Sequence, residues 1–232
     1  MKSKSYILPL IVLILLEAFW IYEAFGALNV HWHYFYRWSQ NTSRSYYPWL
    51  IWIIIGGGVF PLVNKRWENS EMIKTLLHES AHMLVNLITF QQVDSLFASS
   101  SQGGVVRSRH MPNSKVPHYL STLAPYCFPY VTIILLIFRC LCTSSLLPVM
   151  DVLLGISVGL HLTCFKEQIG NHQTDIRSFP LWFSYTYIVH FWLFHAALFL
   201  CSLKPSTNIF LAFRDFGVDF WHVLVLTFNM IF

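Results

Sequence analysis

Thr75-Leu76-Leu77-His78-Glu79-Ser80-Ala81-His82-Met83-Leu84-Val85-Asn86-Leu87-Ile88-Thr89-Phe90 is the stretch from which the rest of this chain is read. It is an apolar segment that nevertheless carries two histidines and a glutamate in the order HExxH. In a helix, residues four apart share a face, so His78 and His82 can offer imidazole nitrogens to one metal ion. Glu79 stands beside them and can act as a general base on water activated by that metal. Zn²⁺ is the expected metal, because neutral imidazole suits it and it supports hydrolysis without redox chemistry. With 11 His in 232 residues, a shuffled chain of this composition would contain the pattern only about 0.01 times. The competing reading is a pair of core histidines and a glutamate partnered by other helices. An ionisable cluster on a membrane helix is by default a functional feature.

Composition places the chain in a membrane. Hydrophobic residues make up 55%, charged residues 11%, and the mean hydropathy is +0.51. Soluble domains carry about 25% charged residues. The net charge of +4 is dispersed, with no dense basic run, so nucleic acid is excluded as a partner. The expected fold class is an all-α polytopic membrane protein, residues 1–232 forming a single membrane-embedded domain. About 20 apolar residues cross a bilayer as helix. On that rule the spans are Tyr6–Gly26, Trp49–Val63, the motif helix Glu71–Phe90, Tyr119–Phe138, Leu146–Phe165, Leu181–Leu203 and Phe216–Phe232. Six or seven transmembrane helices result, the second and last being the marginal ones.

Lys2 and Lys4 precede the first span and favour a cytoplasmic N-terminus. Ala24-Phe25-Gly26 could pass for a signal-peptide cleavage site, but the length of the run and Glu17 favour an uncleaved span. That orientation leaves Lys65, Arg66, Arg139 and Lys204 inside and Arg37, Arg44, Arg107, Arg109 and Lys115 outside, a weak bias. Trp32, Tyr34, Tyr36, Trp38, Tyr46, Tyr47 and Trp49 read as an interfacial aromatic belt around the first loop. Asn41-Thr42-Ser43 matches a glycosylation sequon, relevant only in a secretory lumen. The five cysteines have no disulfide or zinc-knuckle spacing and read as packing residues.

A hydrolytic zinc site uses three protein ligands and an open position. The third ligand is sought in Gly170-Asn171-His172-Gln173-Thr174-Asp175-Ile176. If the preceding helix continued through it, His161, Phe165, Gln168, His172 and Asp175 would form one stripe. Gly170-Asn171 could equally end that helix. Asp175 is the favoured ligand, with His172 as the alternative ligand or an orienting partner, ahead of Glu167 and His161.

These residues resemble the site-2 protease family of intramembrane zinc metalloproteases. The resemblance spans about residues 71–176 and rests on the HExxH helix and a later aspartate. It implies that His78, His82 and Asp175 bind zinc, that Glu79 is the catalytic base, and that the substrate is a membrane protein, cleaved in a transmembrane segment. The family's aspartate often lies in an Asn-Pro-rich motif ending Asp-Gly. Here Asn171 precedes Asp175 without an intervening proline, and Ile176 follows. The family's small sheet has a counterpart in Val93–Phe97 and Val105–Arg109, a possible β-hairpin turning at Ser99–Gly104. Its edge could hold an extended substrate. Pro125 and Pro129 should kink the next span. Ligands near opposite ends of parallel helices would need tilting, a kink or a re-entrant segment to meet. Glu17, Asn86 and Gly56–Gly58 could line a path for water.

Two readings from other classes compete. A metal transporter would use intramembrane His and Glu as a transit site, but should repeat its polar motif on several spans. A non-catalytic scaffold would have no use for Glu79. Hydrolysis of a lipid or small amide is a further enzymatic option. Localisation is integral to a membrane, multi-pass, with no organelle address.

Overall fold

The computed structural model describes residues 7–39, 49–64, 70–99, 103–109, 115–170, 172–204 and 206–231. Lys2, Lys4, the Asn41 sequon, Arg44, Tyr46, Tyr47, Lys65, Arg66, the tip of the predicted hairpin turn and Asn171 lie outside them. The described chain is mostly helical. Its elements are α1 (Ile7–Ser39), α2 (Trp49–Asn64), α3 (Ser70–Ile88), β1 (Gln92–Ser99), β2 (Gly103–Arg109), α4 (Lys115–Cys127), α5 (Tyr130–Arg139), α6 (Leu147–Gln168), α7 (Thr174–Arg177), α8 (Leu181–Ser202) and α9 (Ile209–Ile231).

Among the described residues, two helices, α6 and α8, are each long and apolar enough to cross a membrane. The pair α4 and α5, bent by 75°, makes up to three if it is one broken span. The count of six or seven is therefore larger than length and composition of the described helices support. The predicted first loop is also shorter than expected. Trp32, Tyr34, Tyr36 and Trp38 continue α1, because nothing from Ala27 to Trp38 breaks a helix.

The chain gathers into two compact units. One comprises Met1–Pro48, Ile134–Ser145 and Leu193–Phe232. Within it, α1 lies against α9 and the end of α8 through the rings of Trp20, Phe194 and Phe216. The buried His31 Nε2 stands 2.9 Å from the Leu200 carbonyl. Glu17, considered above for a water path, belongs to α1.

The other unit comprises Trp49–Ile133 and Leu146–Trp192 and holds the HExxH helix. Its backbone is the packing of α2 along α6. Gly56 and Gly155 have no room for a side chain, since a Cβ on either would overlap a carbonyl of the other helix, at Val152 and Ile53. A Cβ on Gly159 would stand 2.6 Å from the Gly57 carbonyl. Small residues at such spacing let two helices in lipid approach closely and gain van der Waals contact. Gly56 and Gly57 are thus packing residues rather than the lining of a water path.

The hairpin follows the motif helix directly because α3 ends in a tight backbone cap. Phe90 takes the left-handed conformation (φ 58°). Gln91 N–H then bonds the Asn86 carbonyl at 2.7 Å and Phe90 N–H that of Leu87 at 3.1 Å, the paired bonds of a Schellman motif. The chain leaves as β1, which pairs antiparallel with β2 (Leu96 opposite Val106, Ala98 opposite Gly104), and both strands pack on α3. A bulge between Val93 and Ser95 interrupts the register. Gly104, read from sequence as turn, is inside β2.

The expected proline kink lies between α4 and α5. Pro125 sits in the last turn of α4, and Phe128-Pro129 separates the two helices. Proline lacks an N–H, so each removes a rung of the helical ladder.

Candidate metal centre

On α3 the residues Thr75, His78, Glu79, His82 and Asn86 all line one pocket, as their spacing of three to four requires. The opposite side of the helix is fixed separately. Tyr130 and Ser80 hydroxyls are 2.5 Å apart, with Ser80 also bonded to the Leu76 carbonyl at 2.6 Å. Lys74, buried, pairs with Glu71 one turn back and with Glu167 of α6 at 2.6 Å. Asn64 Nδ2 donates to the same Glu167 at 3.3 Å. This clamp sets the end of α6 against α3, where Gln168 Oε1 lies 3.2 Å from His78 Nδ1.

The continuous stripe from His161 to Asp175 does not form. α6 ends at Gln168, and Ile169 is extended (φ −72°, ψ 127°). The chain bends at Gly170 and turns at His172 before a separate short helix, α7, presents Asp175. That helix is held by Ile176, which has no exposed surface and packs with Tyr126, Cys127 and Ile188. Ser184 Oγ donates to the Ile176 carbonyl at 2.9 Å and ties α7 to the start of α8. With Ile176 inward, its neighbour Asp175 reaches α3. This break is what removes the offset between ligands at opposite helix ends.

His78 Nε2 and His82 Nε2 each stand 3.5 Å from the same atom, Asp175 Oδ2. The three residues form one group whose donor atoms lie within 4.8 Å of one another. Tetrahedral zinc ligands at about 2.0–2.1 Å are about 3.3 Å apart, so the donor set fits that ion with small adjustments. His82 Nδ1 lies 2.7 Å from the Ser121 carbonyl. A carbonyl only accepts, so Nδ1 carries the proton and Nε2 is the free ligand atom. Burial opposes ionisation of Asp175, but hydrogen bonds and positive charge from the imidazolium forms of His78 and His82 outweigh that and hold its carboxyl well below the usual range. It is thus an anion ready for a cation.

His172 lies outside this group. It packs on Gly170, and its Nε2 is 3.3 Å from the Gln173 amide. Glu167 is taken by Lys74 and Asn64. His161 stacks edge-on against Tyr130, ring centres 5.9 Å apart.

Glu79 is buried and next to the group, with the strand β2 passing over it. A Cβ on Gly104 would come within 2.6 Å of Glu79 Oε1. Glycine at that position leaves space for the carboxylate. The pocket encloses about 520 Å³ and is polar, with Ser121, Thr122, Gln168 and Thr174 in its wall and Val105 and Val106 of β2 at one side. Sequence reasoning overlooked Ser121, Tyr126 and Gly104. Pro125 was the available signal for the first, since a proline frees the carbonyl four residues earlier.

A helical membrane protein with two histidines and an aspartate around one point, beside a glutamate, has the architecture of a metallopeptidase. A family model for Peptidase M50B-like proteins matches residues 50–198. The chain belongs to this family, which is of the site-2 protease type, membrane-embedded and generally zinc-dependent. It is accordingly an integral membrane protein of metallopeptidase kind. No curated protein and no solved structure matches the chain.

Proposed function

We propose that this protein is an intramembrane zinc metalloprotease that hydrolyses peptide bonds of membrane-protein substrates. The observation that carries the reading is the approach of both HExxH imidazoles to one oxygen of Asp175 beside a buried glutamate. His78, His82 and Asp175 hold Zn²⁺, and Glu79 is the general base. When bound, zinc supplies a Lewis acid that acidifies water and polarises the scissile carbonyl. Glu79 takes the proton from the attacking water and later returns it to the leaving amine. The hydroxyl and amide side chains of the pocket wall admit water and offer hydrogen bonds to an unwound segment. The outer edge of β2, which contributes Val105 and Val106 to that wall, takes substrate by strand addition. The bilayer architecture in this reading has six or seven spans, with α1, α2, α3 and α9 joining α6, α8 and the bent α4–α5 pair.

The test is elemental analysis of detergent-purified protein, followed by cleavage of transmembrane-segment substrates in proteoliposomes. About one zinc per chain is expected, with cleavage stopped by a chelator and restored by zinc. A well-folded protein without zinc would sink the reading. Zinc uptake into the liposomes without cleavage would make it a transporter instead.

The contact between Gly104 and Glu79 gives a further expected result. Gly104→Ala should keep the zinc and lower cleavage about 100-fold, because the added methyl displaces the base by a fraction of its working distance. Unchanged cleavage would mean that Glu79 works from another position.

A further inference from the structure

All three candidate ligands are met from α4, by Ser121 and Tyr126, which stand on either side of Pro125 in the same proline-broken turn. Pro125 has no N–H, so the Ser121 carbonyl one turn earlier lacks its helical donor. That carbonyl instead accepts the His82 Nδ1 proton at 2.7 Å. Tyr126, next in the chain, is 1% exposed, and its hydroxyl donates to Asp175 Oδ2 at 3.3 Å. Its ring meets His78 edge-on, centres 5.4 Å apart and planes at 84°. The Tyr126 carbonyl is likewise released from the ladder, because Tyr130 N–H bonds Phe128 instead, and it accepts Trp192 Nε1 at 2.7 Å. The tyrosine is therefore fixed at both ends, at its backbone by α8 and at its hydroxyl by the site.

We propose that the Pro125–Tyr126 turn of α4 is the positioning element of the metal centre, with the Ser121 carbonyl setting the tautomer of His82 and the Tyr126 hydroxyl aiming the Asp175 carboxylate. The inference rests on the zinc reading above. Outer partners of this kind fix ring orientation and ligand basicity, and their loss typically weakens metal binding 10- to 100-fold. A proline here serves a purpose a packing kink does not: it exposes a backbone acceptor at a depth where no side chain need be buried to supply one. The turn holds ligands and touches no substrate, so its residues are positioning residues.

The experiment is zinc affinity by chelator competition for the full chain in detergent, in wild type, Tyr126→Phe and Pro125→Ala, beside thermal unfolding of each metal-free protein. Tyr126→Phe keeps the ring and should weaken zinc by about 10- to 100-fold with an unchanged metal-free unfolding temperature. The same variant loaded with Co²⁺ should show shifted visible absorption bands. Pro125→Ala restores a donor for the Ser121 carbonyl. It should leave the metal-free protein as stable as wild type or more so, while zinc binding weakens. Opposite movements of stability and affinity are not what a packing role produces. Wild-type affinity and wild-type Co²⁺ spectra in Tyr126→Phe would overturn the proposal. So would a loss of affinity matched by an equal loss of metal-free stability. A wild type that binds no zinc would overturn the protease reading itself, and this inference with it.

Discussion

Glu79→Gln should retain about one zinc per chain and lose peptide hydrolysis by on the order of 1,000-fold or more. The amide has nearly the size and shape of the carboxylate, so it still fits beneath Gly104. It cannot accept a proton from water, however, and the general-base contribution is lost. The three donor atoms of His78, His82 and Asp175 are untouched by the change. Zinc content and cleavage must therefore separate. Measured on the same preparation by elemental analysis and substrate cleavage, retained hydrolysis would remove Glu79 from the reaction. Loss of zinc along with activity would make Glu79 part of the binding set.

Asp175→Ala should instead cost the metal. Removing a partner of a ligand typically weakens binding 10- to 100-fold, so removing the ligand itself should exceed about 100-fold. Two factors act together. The ion loses its anionic ligand, and His78 and His82 lose the carboxylate 3.5 Å away that both face. His172→Ala is the matched control, because His172 packs on Gly170 and Gln173 rather than on α3. Zinc retained in Asp175→Ala and lost in His172→Ala would reverse the assignment of the third ligand.

The predictions differ in how much of their basis could be read in the chain. His78, Glu79 and His82 are legible because helical geometry alone puts residues three and four apart on one face. The hairpin was legible too, from β-branched residues around a glycine-serine turn, as was the break at Pro125 and Pro129. The periodicity from His161 to Asp175 left two readings open, a continuous stripe or a helix ended near Gly170; the chain becomes extended at Ile169 and restarts at Thr174, so the second holds. Gly56–Gly58 were open to a reading as the lining of a water path, whereas Gly56 and Gly57 let α2 and α6 touch. A glycine has no side chain to declare its neighbour, so a packing glycine and a lining glycine look alike until the second helix is in place.

By itself, then, the sequence determined a membrane protein with an HExxH helix, two potential metal ligands and an adjacent base. These follow from composition and from a local backbone repeat, which every helix obeys whatever surrounds it. Only the tertiary structure decided that Asp175 and not His172 meets the histidines, that Gly104 makes room for Glu79, and that the carbonyl freed by Pro125 finds His82. Each of those joins residues from about 25 to 100 positions apart. Their meeting depends on Ile176 filling the core, on glycines letting α2 and α6 close up, and on the Lys74–Glu167 ion pair drawing α6 to α3. Those are energies of packing between elements, and no repeat within one element encodes them.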